Sequence, residues 1–418
     1  MRRATGPHRG LAGGGGGSIA IPAAPALVLL TLIFLGSGGG AEYHGASQLV
    51  RATTIVAVVV PVAAALAAWE GARARALAVV PPGAIRPSWP VVRRHVGPVA
   101  AVAGLCLVVA TALLLVGRSF APSDLLVLAV PPTVGAAHLL AGFLLGLRVR
   151  AVLAVPVALL ASWVLLVVPI TLEPVWVRHV TGYLPDCCEI DAVVAPSAIG
   201  ASVLLNGGLV VALLVATSAG ARRALRTAAG ATVALGALVG AVLLASGLGP
   251  DPAVARPTGD LVCRDTAPRT CVWPEHERRR SDLAARARSL ARHLDRVGIP
   301  VPAVVTEGPP ATGRWPVLID RDASRDVLDG ALLYGLTLPP ATCGADEPAE
   351  VDALRWTVLL WMTHHAGVPE GVLGGSVYDE DRDAVAAILR APRGTQSTWA
   401  ARALRDVRRC PTPTGGPS

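Results

Sequence analysis

Seven stretches of this chain are apolar for long enough to cross a bilayer, and arginine is concentrated in alternate gaps between them. A spanning helix needs about 20 mostly apolar residues. The stretches run over roughly 19–36, 49–69, 97–117, 124–146, 151–172, 197–217 and 227–247. None holds Asp, Glu or Arg in its central part, and Arg51 and Asp124 fall at stretch ends. The 16% of charged residues and the mean hydropathy of +0.55 agree with this, since soluble domains carry about 25% charged residues. The expected fold is an all-α polytopic membrane domain of about seven transmembrane helices, followed by a helix-dominated α+β extracytoplasmic domain.

Orientation follows from the arginines, because cytoplasmic loops retain positive charge. Arg2, Arg3 and Arg9 precede the first stretch. Arg73, Arg75, Arg86, Arg93 and Arg94 lie between the second and third, Arg148 and Arg150 between the fourth and fifth, and Arg222, Arg223 and Arg226 between the sixth and seventh. The opposite loops and helix ends hold only Arg51, Arg118 and Arg178. The N-terminus is therefore expected in the cytoplasm of a multi-pass plasma-membrane protein, with everything after the last stretch outside. Arg2, Arg3 and Arg9, the apolar run Ala26–Leu35 and the small residues Gly36–Ala41 also fit a cleaved signal peptide. A retained helix is the preferred reading, and cleavage would leave the later topology unchanged.

The expected organisation is a flexible cytoplasmic tail over 1–18, the membrane domain over 19–247, a linker over 248–258 and the outer domain over 259–418. The linker rests on Pro250, Pro252 and Pro257. In the outer domain, Leu283, Ala287, Leu290, Leu294 and Val297 recur at helical spacing within Pro274–Val297. Val301–Thr306 and Pro316–Asp320 read as short strands. Asp326–Tyr334, Glu350–His364, Asp381–Ala391 and Ser397–Arg408 read as helices, with Gly367 and Pro369 marking the end of the second.

Several chemistries are excluded or disfavoured. All 37 basic residues are Arg, so there is no Walker A lysine and no Schiff-base lysine. There is no nucleophile-elbow motif. His138 and Asn206 are the polar candidates within the spans, which disfavours a proton- or sodium-coupled pump. Adjacent His364 and His365 do not make a His-Glu-x-x-His pair, because neighbouring helical side chains point about 100° apart. Asp320, Asp322, Asp326 and Asp329 lack calcium-loop spacing and read as local capping. The net charge of +8 does not argue for nucleic acid, because so many arginines are topological. No catalytic residue, resident metal or cofactor is expected, and the chain is not read as an enzyme.

Six of the seven cysteines fall on the expected outside, where disulfides persist. Cys263–Cys271 and Cys343–Cys410 are the preferred pairs among three connectivities. Adjacent Cys187 and Cys188 would pair with each other or with the domain, with metal binding as the sharper alternative. Gly142-x-x-x-Gly146 and Gly236-x-x-x-Gly240 permit close helix approach, read first as intramolecular packing.

Three short stretches carry a family resemblance: Glu42–Gln48, Ala67-Ala68-Trp69-Glu70-Gly71-Ala72-Arg73, and Cys271-Val272-Trp273-Pro274-Glu275-His276. Together with the layout they resemble actinobacterial multi-pass membrane proteins related to ABC-2-type transporter permeases. The resemblance implies a permease-like subunit or accessory of an exporter, working with a separate cytoplasmic ATP-binding subunit and plausibly a homodimer. The Glu70–His95 segment, with Arg73, Arg75, Arg86, Arg93 and Arg94, would be the ATPase contact, and the outer domain would bind or gate the exported molecule. A lipid-anchoring role is the other reading of that segment. Such permeases typically have six helices and a cytoplasmic C-terminus, so a seventh helix and an outer domain depart from the pattern. Some relatives carry outer domains resembling zinc peptidases, and the missing His-Glu-x-x-His implies that any such fold here is inactive. The remaining alternatives are a membrane-anchored receptor or scaffold and a degenerate peptidase-like domain.

Overall fold

A computed structural model describes residues 18–37, 45–77, 89–116, 122–184, 187–188, 190–218, 223–249, 251–265, 267–319, 323–340, 349–376 and 379–409. Arg86, Asp320, Asp322, Cys343 and Cys410 lie outside the described residues, as does the tail before Ser18. The chain divides into two compact units. One comprises Met1–Ala41, Gly45–Cys188 and Val193–Val254, and the other Glu42–His44, Glu189–Ala192 and Ala255–Ser418.

The first unit is helical. Its helices are α1 (Ala20–Ser37), α2 (Gly45–Thr54), α3 (Val56–Ala76), α4 (Trp89–Leu115), α5 (Val130–Arg148), α6 (Ala151–Val167), α7 (Trp176–Val180), α8 (Pro196–Thr217) and α9 (Arg223–Ala245). Among the described residues, six helical segments are long and apolar enough to cross a membrane: Ala46–Ala76, Pro90–Leu115, Asp124–Arg148, Ala151–Thr171, Pro196–Thr217 and Ala224–Ala245. The seventh stretch expected from the sequence is α1, which is shorter than these. Its apolar part is Ala20–Gly36, and residues 38–44 lie outside the described residues.

Prolines shape the helices in two ways. Pro131 and Pro132 do not break a span. They start α5, following a 3-10 segment at Pro122–Ala129, and first-turn prolines give up no helical hydrogen bond. Pro61 and Pro156 lie inside α3 and α6.

Helix α3 is the centre of this unit. Its span is 72% buried, against 17–44% for the other five. The reason is composition: Ala63, Ala64, Ala65, Ala67, Ala68, Gly71, Ala72 and Ala74 give it almost no side-chain bulk, and all are buried. Neighbouring helices therefore reach its backbone. Gly142 of α5 faces the Ala64 carbonyl, Gly146 faces the Ala68 carbonyl, and Gly71 of α3 faces the Phe143 carbonyl. A Cβ at any of the three would overlap backbone, so Gly142-x-x-x-Gly146 is an intramolecular seam. Gly240 meets the Leu204 side chain, whereas Gly236 has nothing near it.

The second unit holds a four-stranded mixed sheet. Its strands are β1 (Val262–Arg264), β2 (Arg269–Val272), β3 (Val304–Thr306) and β4 (Arg314–Pro316), in that order across the sheet. Strand β2 runs antiparallel to β1 and parallel to β3, and β3 is parallel to β4. Helices α10 (Arg280–Arg296), α11 (Arg325–Gly335), α12 (Ala349–Ala366), α13 (Asp379–Leu389) and α14 (Arg393–Val407) complete it. Leu283, Leu290 and Leu294 of α10 join Trp315, Leu328, Leu332, Val358 and Trp361 in one apolar core. Trp315 Nε1 donates to the Leu332 carbonyl at 2.6 Å, so the buried indole is satisfied.

Two strand expectations shift. The pair expected at 301–306 and 316–320 forms at 304–306 and 314–316, and the β1–β2 hairpin is additional to the expected strands. Strands of three or four residues are too short for alternation to register. The Pro274–Val297 segment also begins as a 3-10 turn over Pro274–Arg279 before α10.

The glycine seam yields a paired test. Gly146→Ala should destabilise the purified protein by about 2 kcal/mol through overpacking, seen as a lower thermal midpoint in detergent. Gly236→Ala should leave the midpoint unchanged or slightly raised.

Candidate functional site

In the first unit, the Ala67–Arg73 stretch places a carboxylate where three helices meet. Glu70 is 1% exposed although it sits on an apolar helix. Its Oε1 accepts from Ser18 Oγ at 2.8 Å and from the Ile19 backbone N–H at 3.0 Å, both at the start of α1. Its Oε2 lies 3.1 Å from His95 Nδ1 on α4, and Arg73 approaches Oε1 at 3.6 Å. The His95 ring stacks on Phe143 of α5 at 6.3 Å between centroids. One carboxylate thus ties α1, α3 and α4 together. It also supplies an acceptor to an amide at a helix start, where N–H groups lack helical partners.

The arginines expected to contact a partner are arranged around this node. Helix α3 continues to Ala76 and α4 begins at Trp89. Arg73, Arg75, Arg93 and Arg94 are therefore on helix ends. Arg75, Arg93 and Arg94 are exposed.

Elsewhere in this unit, several buried polar side chains are matched by neighbours. Ser162 Oγ and His138 Nδ1 are 2.7 Å apart. Asn206 Nδ2 donates to the Ser202 carbonyl at 2.9 Å, and Ser202 Oγ donates to the His179 carbonyl at 2.7 Å. His179 Nε2 is 2.8 Å from the Gly249 carbonyl. Cys106 is buried and free, and Cys187 is bonded to Cys188.

In the second unit, the Cys271–His276 stretch builds a comparable node. Thr306 pairs with Cys271 across parallel strands, so the residues that follow β2 and β3 emerge side by side. Glu307 follows β3 and is 1% exposed. Its Oε2 accepts from the Trp273 N–H at 2.7 Å, and its Oε1 lies 2.6 Å from His276 Nδ1. Burial pushes the Glu307 carboxyl above the usual range, against the contrary pull of His276. Arg256 spans both oxygens of Glu275 at 3.2 Å and stacks 4.4 Å from the Trp273 ring centroid. Cys263 and Cys271 occupy opposite positions on β1 and β2 and form a disulfide, as preferred from sequence.

The His364–His365 pair does not converge with a carboxylate. His364 is exposed, and His365 packs 4.4 Å from Trp361 and lies 3.0 Å from Gln396 Oε1. Burial pushes His365 below the usual imidazole range. Glu370 pairs with Arg382 at 2.6 Å. Asp329 does more than cap: it is buried and paired with Arg286 of α10, while Ser324 caps α11. Among the described residues, no group of three or more His, Cys, Asp or Glu could hold a metal ion.

Cys271 and Trp273 fall at the start of a segment that a family model recognises, and Glu307 lies within it. Residues 270–410 match a domain of unknown function, DUF7224. The match begins on β2, so Cys263–Cys271 bonds strand β1, outside it, to the DUF7224 domain. No curated protein and no solved structure matches the chain.

Neither acidic node is announced by spacing. Glu70 and Glu307 are single carboxylates whose hydrogen-bond partners are distant in sequence. The sequence signal is that each lies in, or contacts, a stretch that carries the family resemblance. Two outcomes are expected. Glu70→Ala should destabilise the protein by about 2 kcal/mol, because Ser18, the Ile19 amide and His95 lose their acceptor. Glu70→Gln should lose less, and limited proteolysis should cut α1 faster in the Ala variant. Separately, peptide mapping without reduction should recover the Cys263 and Cys271 peptides as one linked species, and reduction should separate them.

Proposed function

We propose that the chain is a membrane subunit, or accessory, of an ABC-2-like exporter that works with a separate cytoplasmic ATP-binding subunit. The carrying observation is the Glu70 node with exposed Arg75, Arg93 and Arg94 around it. A docking surface needs charges to recognise an acidic partner and a stiff base to transmit its movement. Here the arginines stand at the ends of α3 and α4, and Glu70 with His95 ties those ends together. The arginine bias supports a cytoplasmic location for this end, and the Cys263–Cys271 disulfide supports an oxidising location for the DUF7224 domain. In this reading that domain binds or gates the exported molecule and performs no catalysis.

The test is gentle purification of the full-length protein from an actinobacterial host, with mass spectrometry of what accompanies it. A stoichiometric nucleotide-binding subunit is expected. It should be lost when Arg75, Arg93 and Arg94 are replaced by Gln, while the thermal midpoint of the variant stays at the wild-type value. Recovery without any such subunit would overturn the reading in favour of a membrane-anchored receptor or scaffold.

A further inference from the structure

Helix α10 has one face in the core and an opposite face of arginine. Leu283, Ala287, Leu290 and Leu294 are buried, whereas Arg288, Arg292 and Arg296 are exposed. They recur every four residues, so they form one stripe about 12 Å long. Arg278, on the turn before α10, is exposed as well. The other arginines of this segment have acidic partners: Arg279 with Asp282, Arg280 with Glu277 and Arg286 with Asp329. Arg278, Arg288, Arg292 and Arg296 make no ion pair among the described residues. Asp295 lies beside the stripe and lowers its charge by one without pairing to it.

Exposed arginines without an ion pair among the described residues also occur singly elsewhere on this unit, at Arg264, Arg314 and Arg325 for example, but Arg288, Arg292 and Arg296 fall in register on one helix face, on a unit whose chain is continuous with six segments long and apolar enough to cross a membrane. Guanidinium matches phosphate in a two-pronged geometry. Basic clusters close to an anionic bilayer are drawn to it, and the attraction is screened by salt. Tethering of the unit to a membrane also raises the effective concentration of headgroups around it.

We propose that the Arg288–Arg292–Arg296 stripe of α10, with Arg278, is a docking surface for anionic phospholipid headgroups. It fastens the DUF7224 domain to a bilayer surface electrostatically. The proposal is independent of the exporter reading, because it needs only a membrane-tethered domain.

The test uses the full-length protein in nanodiscs, with Ala285→Cys as the labelling position. Ala285 is exposed on the same face. Energy transfer from the label to a headgroup-labelled lipid is compared in discs of phosphatidylcholine alone and of phosphatidylcholine with phosphatidylglycerol. Transfer should rise severalfold with phosphatidylglycerol and return to the phosphatidylcholine level in high salt. It should stay at that level in the Arg288→Gln, Arg292→Gln, Arg296→Gln variant, whose thermal midpoint in phosphatidylcholine should equal that of the parent. Transfer that ignores phosphatidylglycerol, or a rise retained in the triple variant, would overturn the proposal. Binding of soluble polyphosphate without any response to phosphatidylglycerol would overturn it too, in favour of a soluble polyanion.

Discussion

The close approach of α5 to α3 sets the architecture of the membrane unit. Apolar burial drives little association between helices already surrounded by lipid, so packing must come from surface fit. Helix α3 meets this requirement with alanine and glycine along its length, and α5 meets it with Gly142 and Gly146. Each glycine sits against a carbonyl of the opposite helix, so the two helices contact through backbone. Once α3 is enclosed, the remaining helices have only their outer sides left for lipid. This agrees with the exposed Val152, Leu153, Leu160 and Leu165 of α6 and Leu235, Val239 and Leu243 of α9.

The enclosure of α3 also buries the Glu70 carboxylate near its end. A buried carboxylate without donors is expensive, and Glu70 collects donors from the start of α1 and from α4. Glu307 answers the same problem with a backbone N–H and an imidazole from the turn that follows the neighbouring strand. In both units an acid supplied by one element satisfies donors stranded at the start of another. The consequence is geometric. The start of α1 is fixed relative to α3, and the Trp273 turn is fixed relative to β3, by groups that leave few alternative positions.

The helices of both units were largely legible from the sequence, because long apolar runs and three-to-four spacing survive in any context. Leu283, Ala287, Leu290 and Leu294 are core residues as their spacing indicates, and Cys263 pairs with Cys271. What was not legible had two physical causes. The sheet is made of strands too short to show alternation, so the β1–β2 hairpin carries no pattern and β4 forms two residues earlier than expected. The acidic nodes depend on contacts between residues far apart in sequence, 51 positions for Glu70 and Ile19 and 31 for Glu307 and His276. Asp329 illustrates the same limit. By spacing it belongs to a capping cluster, yet it is paired with Arg286 across the domain. Six of the seven apolar stretches form helical segments long and apolar enough to cross a membrane among the described residues, and the first is described as the shorter helix Ala20–Gly36.

The distribution of charge bears on where any work could come from. Within the apolar helices the ring of His138 is matched by Ser162, and Asn206 is matched by backbone carbonyls of its own helix and of the α7 turn. Such groups stabilise a packed arrangement, and a proton or sodium ion would find no carboxylate midway across. The buried acid of this unit lies instead at the Arg-bearing end of α3, in contact with the helix ends that carry Arg75, Arg93 and Arg94. A force applied to those ends would reach α1 through Ser18 and Ile19, and α5 through His95 and Phe143, before it reached the apolar middle. On the exporter reading proposed above, a partner that moves those helix ends would supply the motion, because Glu70 and His95 couple the ends of α3 and α4 to α1 and α5.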